Sequence, residues 1–92
     1  KRAWSLGERL MKGLRELQDR FSVVESVRGL GLMAAFDLRT ESAPQVVQMA
    51  LDKGLILNNT GPRTIRLLPA LTILENEIDE ALGILGDVLG QL

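Results

Sequence analysis

The residue with the clearest chemical use is Arg66, in the stretch Thr64-Ile65-Arg66-Leu67-Leu68-Pro69. Alternation there turns Ile65 and Leu67 one way and Thr64, Arg66 and Leu68 the other, the pattern of a half-buried strand. Pro69 ends the ladder, because it has no N–H to donate. A guanidinium is planar and permanently charged, so a strand that holds one still beside apolar walls makes a fork for a carboxylate or phosphate. The commoner use of such an arginine is to face water on an edge strand, and pattern alone favours that use.

Other reactive groupings are thinner. Glu75, Glu77 and Asp79 crowd the start of the last helix, where the helix dipole already accounts for acids and successive positions point in different directions, so no metal site is expected. Gly29 and Gly31 fall short of the dinucleotide spacing, because a third glycine would be needed at Ala34. They suit a bend or bulge leading into the next strand. Asn58 and Asn59 could touch a ligand, but a polar turn through Pro62 explains them without one. With no cysteine and no histidine, the chain lacks thiolate chemistry, disulfides, and the commonest metal ligand and general base. A formal net charge of -1 with no run of like charges calls for neither nucleic acid nor an anionic membrane. No apolar stretch reaches the length of a membrane span, and the first residues have no signal-peptide core. An opening lysine in place of methionine predicts a piece of something longer or a trimmed terminus.

The elements that must position Arg66 can be read in order. Ala3, Leu6, Leu10, Leu14, Leu17 and Phe21 recur at helical spacing opposite a solvated face of Glu8, Arg9, Lys12, Arg15, Glu16 and Asp19. Gly7 and Gly13 weaken that helix, so packing must hold it, and Trp4 suits either the core or a neighbouring domain. Val23 to Val27 and Leu32 to Leu38 read as strands. Ser42 is the expected N-cap of a helix with Pro44 in its first turn, a buried face of Val46, Val47, Ala50 and Leu51, and a stop at Lys53-Gly54. A strand from Leu55 to Asn58 and a hairpin turn then lead into the Arg66 strand. The last helix buries Ile78, Ala81, Leu82, Leu85 and Val88, and Gly83, Gly86 and Gly90 predict fraying towards Leu92. The expected fold is α+β, a small and largely antiparallel sheet with helices mainly on one face. Ninety-two residues suit a single small domain with a thin core.

Four motifs occur in order: VRGLGLM from Val27, ALDKGLILN from Ala50, IRLLPAL from Ile65 and ENEIDEAL from Glu75. Together they resemble the C-terminal small domain of the class III aminotransferases, most nearly the acetylornithine type. The chain departs from that pattern at Ala70, where a second proline is common, and at Leu74, where a threonine or serine usually caps the helix. The resemblance implies the small-domain fold of fold type I pyridoxal-phosphate enzymes over residues 1–92, with the large cofactor-binding domain absent. It implies that Arg66 grips a substrate carboxylate and that Arg28 makes an interdomain contact. It implies pyridoxal phosphate in the complete enzyme, held on a lysine of the large domain, and none on the isolated chain, whose lysines are Lys1, Lys12 and Lys53. The chain alone is therefore expected to be inactive. Its implied partners are the large domain and a second subunit, with self-association possible, and its implied place is the cytoplasm in arginine biosynthesis. Two other classes stay open, a stand-alone α+β interaction module and an amino-acid-binding regulatory domain, and carboxylate binding that depends on Arg66 would separate them.

Overall fold

The computed structural model describes residues 2–30, 33–67 and 75–92. A first helix, α1 (Arg2–Arg20), leads into the hairpin β1 (Val24–Leu30) and β2 (Met33–Leu38). Helix α2 (Ala43–Asp52), strands β3 (Asn58–Asn59) and β4 (Thr64–Leu67), and helix α3 (Glu75–Gly90) follow. The four strands are antiparallel in the order β1-β2-β4-β3, which leaves β1 and β3 at the edges. The α+β reading therefore holds.

Alternation along the strands divides the sheet into two faces. Ala34, Phe36 and Leu38 of β2, with Ile65 and Leu67 of β4 and Val24 of β1, are buried. They meet Leu6, Leu10, Met11, Leu14 and Leu17 of α1, Ala43, Val46 and Ala50 of α2, and Ile78, Leu85, Val88 and Leu89 of α3 in one core. Burying a side chain as large as Phe36 stabilises the fold by roughly 1.5–3 kcal/mol. No described polar or charged side chain is buried, so the core makes no demand for internal hydrogen bonds. The opposite face of the sheet carries Ser26, Arg28, Asp37, Thr64 and Arg66, with Ala35 and the exposed Met33 among them.

Local chemistry sets the joints. α2 ends in a Schellman motif: Gly54 at φ 91° donates its N–H to the Leu51 carbonyl at 2.9 Å, and Leu55 donates to that of Ala50 at 2.8 Å. Ser42 occupies the N-cap position, but its hydroxyl makes no capping bond and pairs instead with Thr40 Oγ1 at 2.7 Å. α1 and α3 approach closely at Gly13, where an added Cβ would fall 2.2 Å from Leu82 Cδ1. That glycine costs helix propensity but admits the neighbouring helix, and Arg9 adds a fork across the same pair, its Nε and Nη2 on Asp79 at 2.8 and 2.7 Å.

Several expectations need correction. Gly29 lies within β1 opposite Ala34, and a Cβ there would stand 2.5 Å from the Met33 carbonyl oxygen and 2.7 Å from Met11 Sδ. Its role is close approach. The register irregularity falls between Val24 and Ser26, nearer the start of the strand. Leu51 is 51% exposed, because it sits one residue past Ala50 and so turns onto the flank of α2. The strand expected from Leu55 narrows to Asn58 and Asn59, the two residues paired with Arg66 and Ile65 of β4. Ala81 and Leu82 are only half-buried, and α3 continues through Gly90. The expectations for Gly31, Pro69, Ala70 and Leu74 lie outside the described residues, as do those for the side chains of Ala3 and Trp4.

Candidate functional site

The outer face of the sheet carries two rows of paired positions. One row runs Arg28–Ala35–Arg66–Asn58 across β1, β2, β4 and β3, and the next runs Ser26–Asp37–Thr64 across β1, β2 and β4. Strands lie roughly 4.8 Å apart, so Arg28 and Arg66 rise about 10 Å from one another with only a methyl group between them. The alanine forms a low floor.

The two arginines are in different states. Arg28 forms an ion pair with Asp37, which also accepts a hydrogen bond from Ser26 Oγ at 2.6 Å and one from Thr64 Oγ1 at 2.7 Å. The hydroxyls of Ser26 and Thr64, more than the Arg28 charge, hold the Asp37 carboxyl below the usual carboxylate range. Arg66 is exposed and has no ion-pair or hydrogen-bonding partner for its guanidinium among the described residues. Asn58, its strand partner, is exposed as well. Asn59 instead holds the turn, donating from Nδ2 to the Gly61 carbonyl at 3.0 Å. The site thus offers a charged fork, an amide and a small apolar floor, a combination suited to binding and orienting a carboxylate.

The remaining candidates are dispersed. Lys12 is exposed on α1 and Lys53 is exposed at the end of α2, both in the helical layer. Asp79 is taken by Arg9, which explains one of the three early acids of α3 by packing between helices as well as by the dipole. Among the described residues no group of three acidic side chains could hold a metal ion, and no helix is long and apolar enough to cross a membrane. An open cleft of about 560 Å³ lies where α1 and α3 end, lined by Arg20, Phe21, Thr40, Ser42, Gln45 and Leu89 among others, and none of the described outer-face side chains lines it.

Asp37 is the residue that sequence reasoning missed. Its signal was an acid between Phe36 and Leu38, in a strand where aspartate is unfavourable, at a position facing away from the core. The hydroxyls of Ser26 and Thr64 give it partners only after the sheet brings three strands together.

Similarity to known proteins bears on this face. Residues 1–89 match the model of the family described as aminotransferase class-III. The acetylornithine aminotransferase of Caldanaerobacter subterraneus subsp. tengcongensis is 42% identical over 86 residues, which are 94% of this chain and 22% of that protein. The 5-aminovalerate aminotransferase of Pseudomonas aeruginosa is 36% identical over 102 aligned positions, 99% of this chain and 24% of its own length. Among solved structures, the lysine aminotransferase of M. tuberculosis superposes with a TM-score of 0.92 at 33% identity, over 98% of this chain and 21% of that one. The acetylornithine aminotransferase of Elizabethkingia anophelis gives a TM-score of 0.93 at 25% identity, over 99% and 25%. The chain spans about a fifth of the length of the curated relatives it matches. With a family model covering nearly its whole length, the chain belongs to the class-III aminotransferases.

Proposed function

We propose that residues 1–92 are the C-terminal small domain of an acetylornithine-type aminotransferase and that Arg66 grips the substrate carboxylate there. The observation that carries this reading is the state of Arg66: exposed on the helix-free face beside Ala35 and Asn58, with its charge unspent among the described residues, whereas Arg28 is already neutralised by Asp37. A bidentate grip would fix the substrate's orientation, and orientation is a large part of what a binding domain can give a reaction.

Class-III aminotransferases use pyridoxal phosphate, which supplies an electron sink for moving an amino group. The described residues do not fit it. The cofactor needs a lysine amine beside a phosphate cradle, and Lys12 and Lys53 are solvent-exposed side chains of the helical layer, away from the Arg66 face. On this reading the lysine and the cradle belong to a large domain of the same enzyme, the active site is completed by a second subunit, and the isolated chain is inactive. A cytoplasmic location in arginine biosynthesis belongs to the same reading.

The test is a graft. The stretch of the Caldanaerobacter enzyme that matches this chain is replaced by residues 1–92, and transfer from N-acetylornithine to 2-oxoglutarate is measured. Turnover within about tenfold of the parent supports the domain assignment. A folded, cofactor-loaded graft without turnover, or turnover by the isolated chain given pyridoxal phosphate, would overturn it.

A further inference from the structure

Asp37 sits at the centre of the outer face, on an inner strand, and its two oxygens serve different neighbours. Oδ1 accepts from Thr64 Oγ1 at 2.7 Å, while Oδ2 accepts from Ser26 Oγ at 2.6 Å and from the Arg28 guanidinium. One carboxylate thereby ties β1, β2 and β4. Thr64 lies two residues before Arg66 on the same face of β4, and Arg28 stands across Ala35 from Arg66. Side chains of that length rising about 10 Å apart could both reach one small dicarboxylate. Any carboxylate arriving in solution must displace a tethered one from Arg28, and tethering through a short span corresponds to an effective concentration in the millimolar range or above. Free carboxylate at lower concentration loses that competition.

We propose that Asp37 is a positioning residue: it retains Arg28 as an internal counter-ion and steadies β4 through Thr64, so that an incoming carboxylate meets Arg66 alone. This inference rests on the carboxylate reading of Arg66. Its consequence is selectivity of pose, since two free guanidiniums beside one another would let a dicarboxylate bind across the row in an unproductive position. Asp37 removes that second pose without removing the arginine.

The test uses the full 92-residue chain labelled with nitrogen-15, with 2-oxoglutarate as the probe and the arginine Nε–H signals as the readout. In the unaltered chain the Arg66 signal moves saturably and that of Arg28 stays still. In Asp37→Asn the Arg28 signal moves as well, and in Arg66→Gln, which has no guanidinium at position 66, the Arg28 signal stays still while Asp37 is intact. A response at Arg28 in the unaltered chain, or a silent Arg28 in a folded Asp37→Asn chain, would overturn the proposal. Arg66 silent in the unaltered chain while Asp37→Asn still frees Arg28 would sink the carboxylate reading of Arg66 and leave the restraint of Arg28 standing. Should Asp37→Asn not fold, guanidinium rotation in the unaltered chain decides. Rotation at Arg28 at least severalfold slower than at Arg66 supports the restraint, and equal rates refute it.

Discussion

At the scale of single residues, the outer face depends on how two like charges are handled. Asp37 is held below the usual carboxylate range by Ser26, Thr64 and Arg28, so it titrates at lower pH in the folded chain than in the unfolded one. Above the unfolded value both states are ionised and its stabilisation is fully present; as pH falls through the folded value that stabilisation is lost. Asp79, lowered by Arg9, acts in the same direction from an exposed position where solvent screens it. The denaturant midpoint should therefore fall on acidification, and Asp37→Asn should flatten that fall; an unchanged acid dependence would contradict the three-stranded clasp. Arg66 stood out in the sequence as a candidate because it broke an apolar strand shortly before a proline, and the structure leaves it exposed on the outer face. Asp37 was harder to see, since its meaning lies in register: Ser26 and Thr64 are 11 and 27 residues away along the chain.

At the scale of elements, period and punctuation carried most of the reading. The leucine spacing of α1, the Lys53-Gly54 stop of α2 and the alternation of β4 all reappear as built. Where reading fell short, the cause was a neighbour distant in sequence. Gly13 read as a weak point in a helix, and it is the place where Leu82 of α3 seats. Gly29 read as a bend, and it is the place where the hairpin carbonyl of Met33 and the sulfur of Met11 close in. Alanine substitutions separate these causes. Gly29→Ala should lower unfolding free energy by about 1–3 kcal/mol, because the backbone oxygen opposite cannot rotate away. Gly83→Ala should raise it by up to about 1 kcal/mol, since a Cβ there meets nothing within 4 Å and glycine disfavours a helix interior. Equal effects from the two substitutions, read from chemical denaturation, would show that propensity rather than packing governs both.

At the scale of the molecule, the described residues are asymmetric: their three helices cover one face of the sheet, and the other presents Arg28, Asp37, Arg66 and their neighbours. Met33 on that face and Ile56 near the β3 edge are 62% and 79% exposed, apolar side chains that the described helices do not cover. On the proposed reading, that face is where the remainder of the enzyme would meet this domain. The isolated chain, given pyridoxal phosphate and N-acetylornithine, should show no transfer to 2-oxoglutarate in a coupled assay, and measurable turnover would return attention to Lys12 and Lys53. The most direct measurement is steady-state kinetics on the Caldanaerobacter graft carrying Arg66 or Arg66→Gln. Loss of a charged, two-pronged hydrogen bond costs on the order of 3 kcal/mol, so kcat/KM for the carboxylate substrate should drop about a hundredfold in Arg66→Gln. A folded, cofactor-loaded Arg66→Gln graft with kcat/KM unchanged would contradict the account.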